Sequence, residues 1–251
     1  YIVATDPPGA RVFLSEYRDR KPRWKYLGRS PIDRARIPFG TYRWRVQRPG
    51  FATIEVVRPN DRPSSPPDGA PLPPKRIDFK LHRLGEFPAN MVWIPPSDLD
   101  QQNLYHGNRK IPSAPAFLID KYEVTNGQFQ EFVFSGGYTD QSHWEHMFIK
   151  DGQAVPWPEA IKAFCDTTGR PGPATWANGR YPRGKRNCPV GGISWYEAAA
   201  YARFRGKDLP TIFHWTLAAR ANDRPYQITC RSNFGDGPAP VGRYTGMGHF
   251  G

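Results

Sequence analysis

Three cysteines, Cys165, Cys188 and Cys230, are the first candidates for chemistry in this 251-residue sequence. Thiolates ligate soft metals and act as nucleophiles. No CxxC spacing occurs, which argues against a structural zinc site. An odd count fits one disulfide with one free thiol, or three free thiols. Cys165 and Cys188 flank a Pro/Gly-rich stretch and could close a loop. His143-Trp144-Glu145-His146 has the residue types of half a metal site. Its histidines stand three apart, whereas helical metal pairs stand at i and i+4, so surface or loop histidines are the better reading. Ser194 reads as a helix cap rather than a nucleophile, and no Ser-His-Asp arrangement can be assigned. Gly169 to Gly179 is broken by Pro171 and Pro173, which excludes a phosphate-cradling loop. No residue is therefore assigned a catalytic or cofactor-binding role. Trp144, Trp157, Trp176, Trp195 and Trp215 are core candidates, one or two of which could line a ligand groove.

The elements that must hold these residues fall into two groups. Residues 1–5, 11–14, 42–46, 53–57 and 77–81 read as short strands separated by Pro-Gly turns, the pattern of a small all-β domain. Segment 15–26 reads as a long hairpin loop, and 58–76 as a Pro-rich loop that cannot join a central strand. Beyond residue 85 the pattern is mixed. Strands are expected at 91–95 and 116–120, with a polar loop between them. A helix is expected at 126–134, capped by Thr125 and stopped by Gly136-Gly137. Residues 139–189 read mostly as loop, with a short helix at 157–164. Ser194 and Glu197 form a capping box for a helix at 195–205, and Thr211 caps another at 212–221.

Composition narrows the class. The chain carries 28 Pro, 24 Gly and 14% aromatic residues, which excludes a disordered chain and a helical bundle alike. No apolar run approaches the ~20 residues of a membrane span. Lys and Arg number 35 against 23 Asp and Glu, a net charge of +12. Residues 1–50 alone hold twelve basic against four acidic side chains. The basic segment 15–36, with Trp24 and Tyr26 inside it, is a candidate contact for a protein partner or an anionic surface. Nucleic acid is disfavoured because no nucleic-acid fold motif accompanies the charge.

Asp6-Pro7-Pro8-Gly9-Ala10, Gly28-x-x-Pro31, Gly40-x-Tyr42 and Arg48-Pro49-Gly50-Phe51 together resemble the PEGA domain, a small β module of bacterial surface and signalling proteins. Phe51 stands where that family usually has Tyr, and the two long loops depart from its compact pattern. A second resemblance covers roughly residues 91–251. It rests on the run Phe117 to Asn126, on Pro189 to Ala202, and on Gly206-Lys207-x-Leu209-Pro210-Thr211 followed by Trp215 and Ala218-Ala219-Arg220. The closing Pro240-Val241-Gly242 with Phe250-Gly251 completes it. These motifs resemble the formylglycine-generating (sulfatase-modifying factor) family, whose fold is irregular mixed α/β and related to C-type lectins. The implied organisation is α+β: a PEGA-like module at 1–84, then a formylglycine-generating enzyme-like domain at 85–251.

The resemblance also carries functional expectations. The family's oxidising members bind copper through two nearby cysteines late in the domain and convert a substrate cysteine to formylglycine. The chain stops at Phe250-Gly251, before the position of that pair, so the domain is expected to be incomplete at its C-terminus and the chain to be a fragment. Copper chemistry would need residues beyond 251, and Cys165, Cys188 and Cys230 do not match the pair. The family's enzymes also bind structural calcium, and Asn233, Phe234 and Asp236 fall where one such loop would lie. An Asx turn is the competing account of those residues. A bacterial architecture of this kind implies an extracytoplasmic setting. The leading expectation is a binding or sensing module for a peptide or glycan. A copper oxidase and a structural subunit of a surface assembly are the alternatives.

Overall fold

The computed structural model describes residues 1–19, 21–60, 74–96, 114–219, 231–235, 237–244, 246–247 and 250. The fold is mixed α/β and divides into two compact units, each assembled from discontinuous segments. The first comprises Tyr1–Lys121, Phe213–Ile228 and Met247–Gly251; the second comprises Tyr122–Ile212 and Thr229–Gly246.

In the first unit, β1 (Ile2–Asp6), β2 (Arg11–Glu16), β3 (Lys25–Arg29), β4 (Gly40–Gln47), β5 (Ile54–Asn60) and β6 (Arg76–Lys80) form two sheets. One is antiparallel with order β3-β2-β4-β5, and in the other β1 runs parallel to β6. Alternation along β4 turns Tyr42, Trp44 and Val46 onto a core with Val3, Val12, Val56, Phe79 and Leu81. Trp44 is only 2% exposed and is the largest side chain there. The Gly9-Ala10 turn and the residues before Pro31 close on each other. Gly9 N–H donates to the Ser30 carbonyl (2.9 Å), and Ser30 Oγ accepts from Ala10 N–H (3.0 Å).

Two features of these strands differ from expectation. Strand β3 lies partly in the stretch read as a hairpin loop, because Tyr26 packs on Phe13 and the strand follows a bulge at Val12/Phe13. Strand β5 continues through Pro59 to Asn60, beyond the expected start of the Pro-rich loop at 58. It lies at the sheet edge, where Pro59 costs no ladder bond on the outer side. Asn60 then ties the strand end down, donating to the Ile37 and Pro38 carbonyls and accepting from Tyr1 OH. Two further strands, β7 (Met91–Ile94) and β8 (Phe117–Asp120), pair antiparallel. Ile94 shares a small core with Ala114 and with Leu217 of α4 (Ile212–Ala219).

The second unit is built on α1 (Asn126–Phe134) and α3 (Trp195–Phe204). Phe129 stacks on Tyr201 at 5.3 Å, and Phe132 meets Phe204 at 5.4 Å. Between these helices in sequence lie the hairpin β9 (Phe148–Lys150) and β10 (Gln153–Val155), then α2 (Trp157–Ala160), which runs into a 3-10 turn. The hairpin falls in a stretch read as loop, since three-residue strands carry too short a pattern to show period two. Both long helices begin with a capping box. Ser194–Glu197 is as expected, and Thr125 is matched by Gln128 rather than an acid.

Candidate functional site

The second unit is organised by buried polar side chains that follow from its local turns. Asn126, 5% exposed at the start of α1, donates through Nδ2 to the carbonyls of Lys185 and Cys188 at 3.0 and 3.1 Å. Its Oδ1 accepts from the buried Trp176 indole at 2.9 Å. One amide thereby pins the loop 185–189 and the Trp176 loop to the helix end. Glu197, 3% exposed, completes its capping box by accepting from Ser194 N–H at 2.6 Å and receives the Tyr138 hydroxyl at 2.5 Å. Burial, then the charge of Glu197, pushes the Tyr138 phenol well above its ordinary range.

Asp166 is 5% exposed and holds the turn 166–179. Burial acts to raise its pKa. Hydrogen bonds from Gly179 N–H (2.7 Å), the Thr168 hydroxyl (2.7 Å) and the amides of Thr168 and Arg170 outweigh burial and lower it to about 2. The carboxylate therefore works as a turn brace held by four donors.

The sequence candidates distribute as follows. His143 Nε2 lies 3.6 Å from the Asp140 carboxylate and its ring meets Phe204, whereas His146 packs on Trp195 at 4.6 Å. The two histidines thus serve different neighbours. Cys165 and Cys188 are both free thiols, which corrects the expectation that they could close a loop. Cys188 is 1% exposed and turns its Sγ to the Pro238 carbonyl at 3.6 Å, the placement of a small core residue rather than of an open copper ligand. Cys230 lies outside the described residues. Asn233 closes its own loop: Oδ1 accepts from Gly235 N–H at 3.2 Å and Nδ2 donates to the Gly237 carbonyl at 2.8 Å. Phe234 is exposed, and Asp236 lies outside the described residues. Among the described residues, no three of His, Cys, Asp and Glu converge as a metal would require. Ser194 is engaged as a helix cap.

Several exposed side chains of this unit stand on segments that are bonded to one another. Trp195 opens α3 at 56% exposure, beside His146, and Met147 and Ile149 are 71% and 50% exposed. Ile149 N–H donates to Tyr196 OH at 3.0 Å, and Arg203 pairs with Glu145 at 2.7 Å. These bonds fix segment 145–150 against α3, so the apolar side chains stand on a braced support. Met147 and Ile149 carry no signal in the sequence, since exposure of single apolar residues in a short hairpin has no pattern of its own.

Residues 83–243 match the family model of the sulfatase-modifying factor enzyme 1-like domain. The chain belongs to this family. Relatives within it include the formylglycine-generating enzyme of Bos taurus, 29% identical over 193 residues, covering 69% of this chain and 48% of the relative. Hercynine oxygenase of Mycobacterium tuberculosis is 31% identical over 171 residues, 59% of this chain and 36% of the relative. The inactive C-alpha-formylglycine-generating enzyme 2 of Mus musculus is 33% identical over 153 residues, 55% and 41%. The chain spans about half or less of the length of these relatives. Within the matched residues, Thr125, Asn126, Ser194 and Glu197 are engaged in caps and clamps.

Proposed function

We propose that this chain is a ligand-binding module on a formylglycine-generating enzyme-like fold, displayed outside the cytoplasm, with residues 1–84 forming a PEGA-like spacer. The observation that carries the reading is the exposed Trp195, packed against His146 at 4.6 Å, with exposed Met147 and Ile149 on the segment braced to the same helix. Exposed Trp presents a large rigid face to a partner at little entropic cost. The ligand class is a peptide or glycan, the two chemistries with alternating apolar and polar faces. Calcium at Asn233, Phe234 and Asp236 belongs to the same proposal as a loop brace. Its signature is a rise in Tm with added calcium, and an unchanged Tm removes it.

The test is a screen of peptide and glycan arrays, followed by calorimetry on hits with Trp195→Ala and with Phe134→Ala as the exposed-aromatic control. The expected result is a loss of about tenfold or more in affinity for Trp195→Ala alone. Equal affinities for both variants would move the binding site elsewhere. The names of two relatives, a formylglycine-generating enzyme and a hercynine oxygenase, favour a second reading as an oxidase. Copper-loaded protein incubated with a cysteine peptide, O₂ and a thiol reductant that supplies the remaining two electrons decides between them. Aldehyde captured by a hydrazide probe would establish the oxidase and overturn the binding module.

A further inference from the structure

The first unit contains a cleft of about 640 Å³ that the reading above does not use. Its walls are the open edges of two strands. Among the described residues, β5 is the edge of its sheet and β6 has β1 as its one strand partner. The two strands are joined at one end. Ala52 N–H donates to the His82 carbonyl at 2.9 Å, and Phe51 bridges Arg83 in antiparallel register. Continued inward, that register would set Ile54 against Lys80 and Val56 against Asp78. The strands instead splay apart, and these four residues line the cleft. The gap occupies the place of the ladder that the register would otherwise form.

The lining has a definite charge. Glu55 and Asp78 are its acids, and each carboxylate is paired, with Arg45 at 2.6 Å and Arg76 at 2.9 Å. Arg58, Lys80 and Lys121 contribute positive charge. The remaining wall is aromatic. Trp93 lies under Lys80 Nζ at 5.4 Å, and the His82 ring packs between Phe87 and Trp93, 4.7 Å from each. His82 Nδ1 engages Glu86 at 2.9 Å, while its Nε2 is buried without a hydrogen-bond partner among the described residues.

We propose that this cleft receives an extended acidic peptide from a partner protein, added as a strand between β5 and β6. The open edges supply main-chain hydrogen bonds, the cations select carboxylates, and Trp93 takes an apolar side chain on the peptide's other face. The basic lining disfavours a second copy of this chain, whose net charge is +12.

The experiment uses the full chain and a short fluorescein-labelled peptide of alternating glutamate and valine, with the lysine-for-glutamate peptide as control. Anisotropy should report binding of the acidic peptide only, weakening as salt rises. Lys80→Glu, on an exposed strand position, should reduce affinity about tenfold or more with an unchanged circular dichroism spectrum. Hydrogen exchange on the complex should show new protection at the amides of β5 and β6, which separates strand addition from simple charge attraction. No binding at about 1 mM peptide, equal binding of the lysine peptide, or binding without that protection would each overturn the proposal. Protection in the free chain of the β5 and β6 amides that face the cleft, those not bonded to β4 or β1, would place a segment of this chain in the cleft, and concentration-dependent dimerisation would place a second copy there. Either result also overturns it.

Discussion

Asp166 shows how a residue type suited to catalysis is committed to structure instead. Both carboxylate oxygens accept from the turn they enclose, Oδ1 from three donors and Oδ2 from Gly179 N–H. The consequence is a pH dependence of known sign. Despite the opposing effect of burial, those bonds hold the folded pKa at about 2 against an ordinary 3.8, so the unfolded chain binds the proton more readily. The stabilisation from this group is complete above the unfolded value and is lost as pH falls toward about 2. In Asp166→Asn one acceptor becomes an amide NH₂ facing a donor, so the variant is destabilised at neutral pH. Urea unfolding of both proteins from about pH 6 to about pH 2 should show the gap between them narrowing only below about pH 4. A gap constant across that range would mean that Asp166 is not held by its charge. Asn126 makes the same point without charge: its type suggested nothing chemical, yet its amide joins three segments.

At the scale of elements, the end of α1 and the loop after it fit closely enough to test by one methyl group. Gly137 N–H donates to the Phe132 carbonyl at 2.9 Å, and the Gly137 carbonyl accepts the buried Trp144 indole at 2.8 Å. A Cβ at 137 would stand 2.2 Å from the Phe132 ring, and Phe132 is fully buried among five aromatic neighbours with nowhere to move. Gly137→Ala should therefore lower stability by about 3 kcal/mol, read as a shift in the urea midpoint at unchanged slope. Gly191→Ala, where φ is not in the left-handed region and the added Cβ meets open space, tests ordinary glycine effects. The sequence announced this helix well, because Thr125, the Phe129–Phe132 spacing and Gly136-Gly137 are local signals. It announced Ser194–Glu197 for the same reason. It did not announce β3, β9 or β10, whose pairing depends on a distant bulge or on three residues apiece. The candidate surface was legible only through Trp195. His146 meets Trp195 across a long stretch of sequence, a contact that leaves no periodic trace.

At the scale of the whole molecule, the sequence and the compact units divide the chain at different places. Composition and turn pattern mark a boundary near residue 84, while the first unit extends to Lys121 and recovers Phe213–Ile228 and Met247–Gly251. The core clusters allow both descriptions to be tested. Every residue of the β-module core, from Val3 to Leu81, precedes residue 84, and so do the partly buried residues packed on it. The second core of that unit, around Ile94 and Leu217, draws on segments far apart in sequence. If the first core is sufficient, a polypeptide of residues 1–84 should unfold cooperatively on heating and keep the near-ultraviolet signal of Trp44 packed against Phe79 and Tyr1. A module of this size buries a smaller fraction of its surface than the whole chain, so its Tm should lie below that of the 251-residue protein. A gradual melt without tertiary signal would mean that β7, β8 and α4 are needed to complete the module. The boundary that composition and turn pattern mark near residue 84 would then not be a folding boundary. A cooperative transition would instead make residues 1–84 an autonomous spacer that can be exchanged or removed, leaving the second unit's exposed Trp195 surface to be assayed without it.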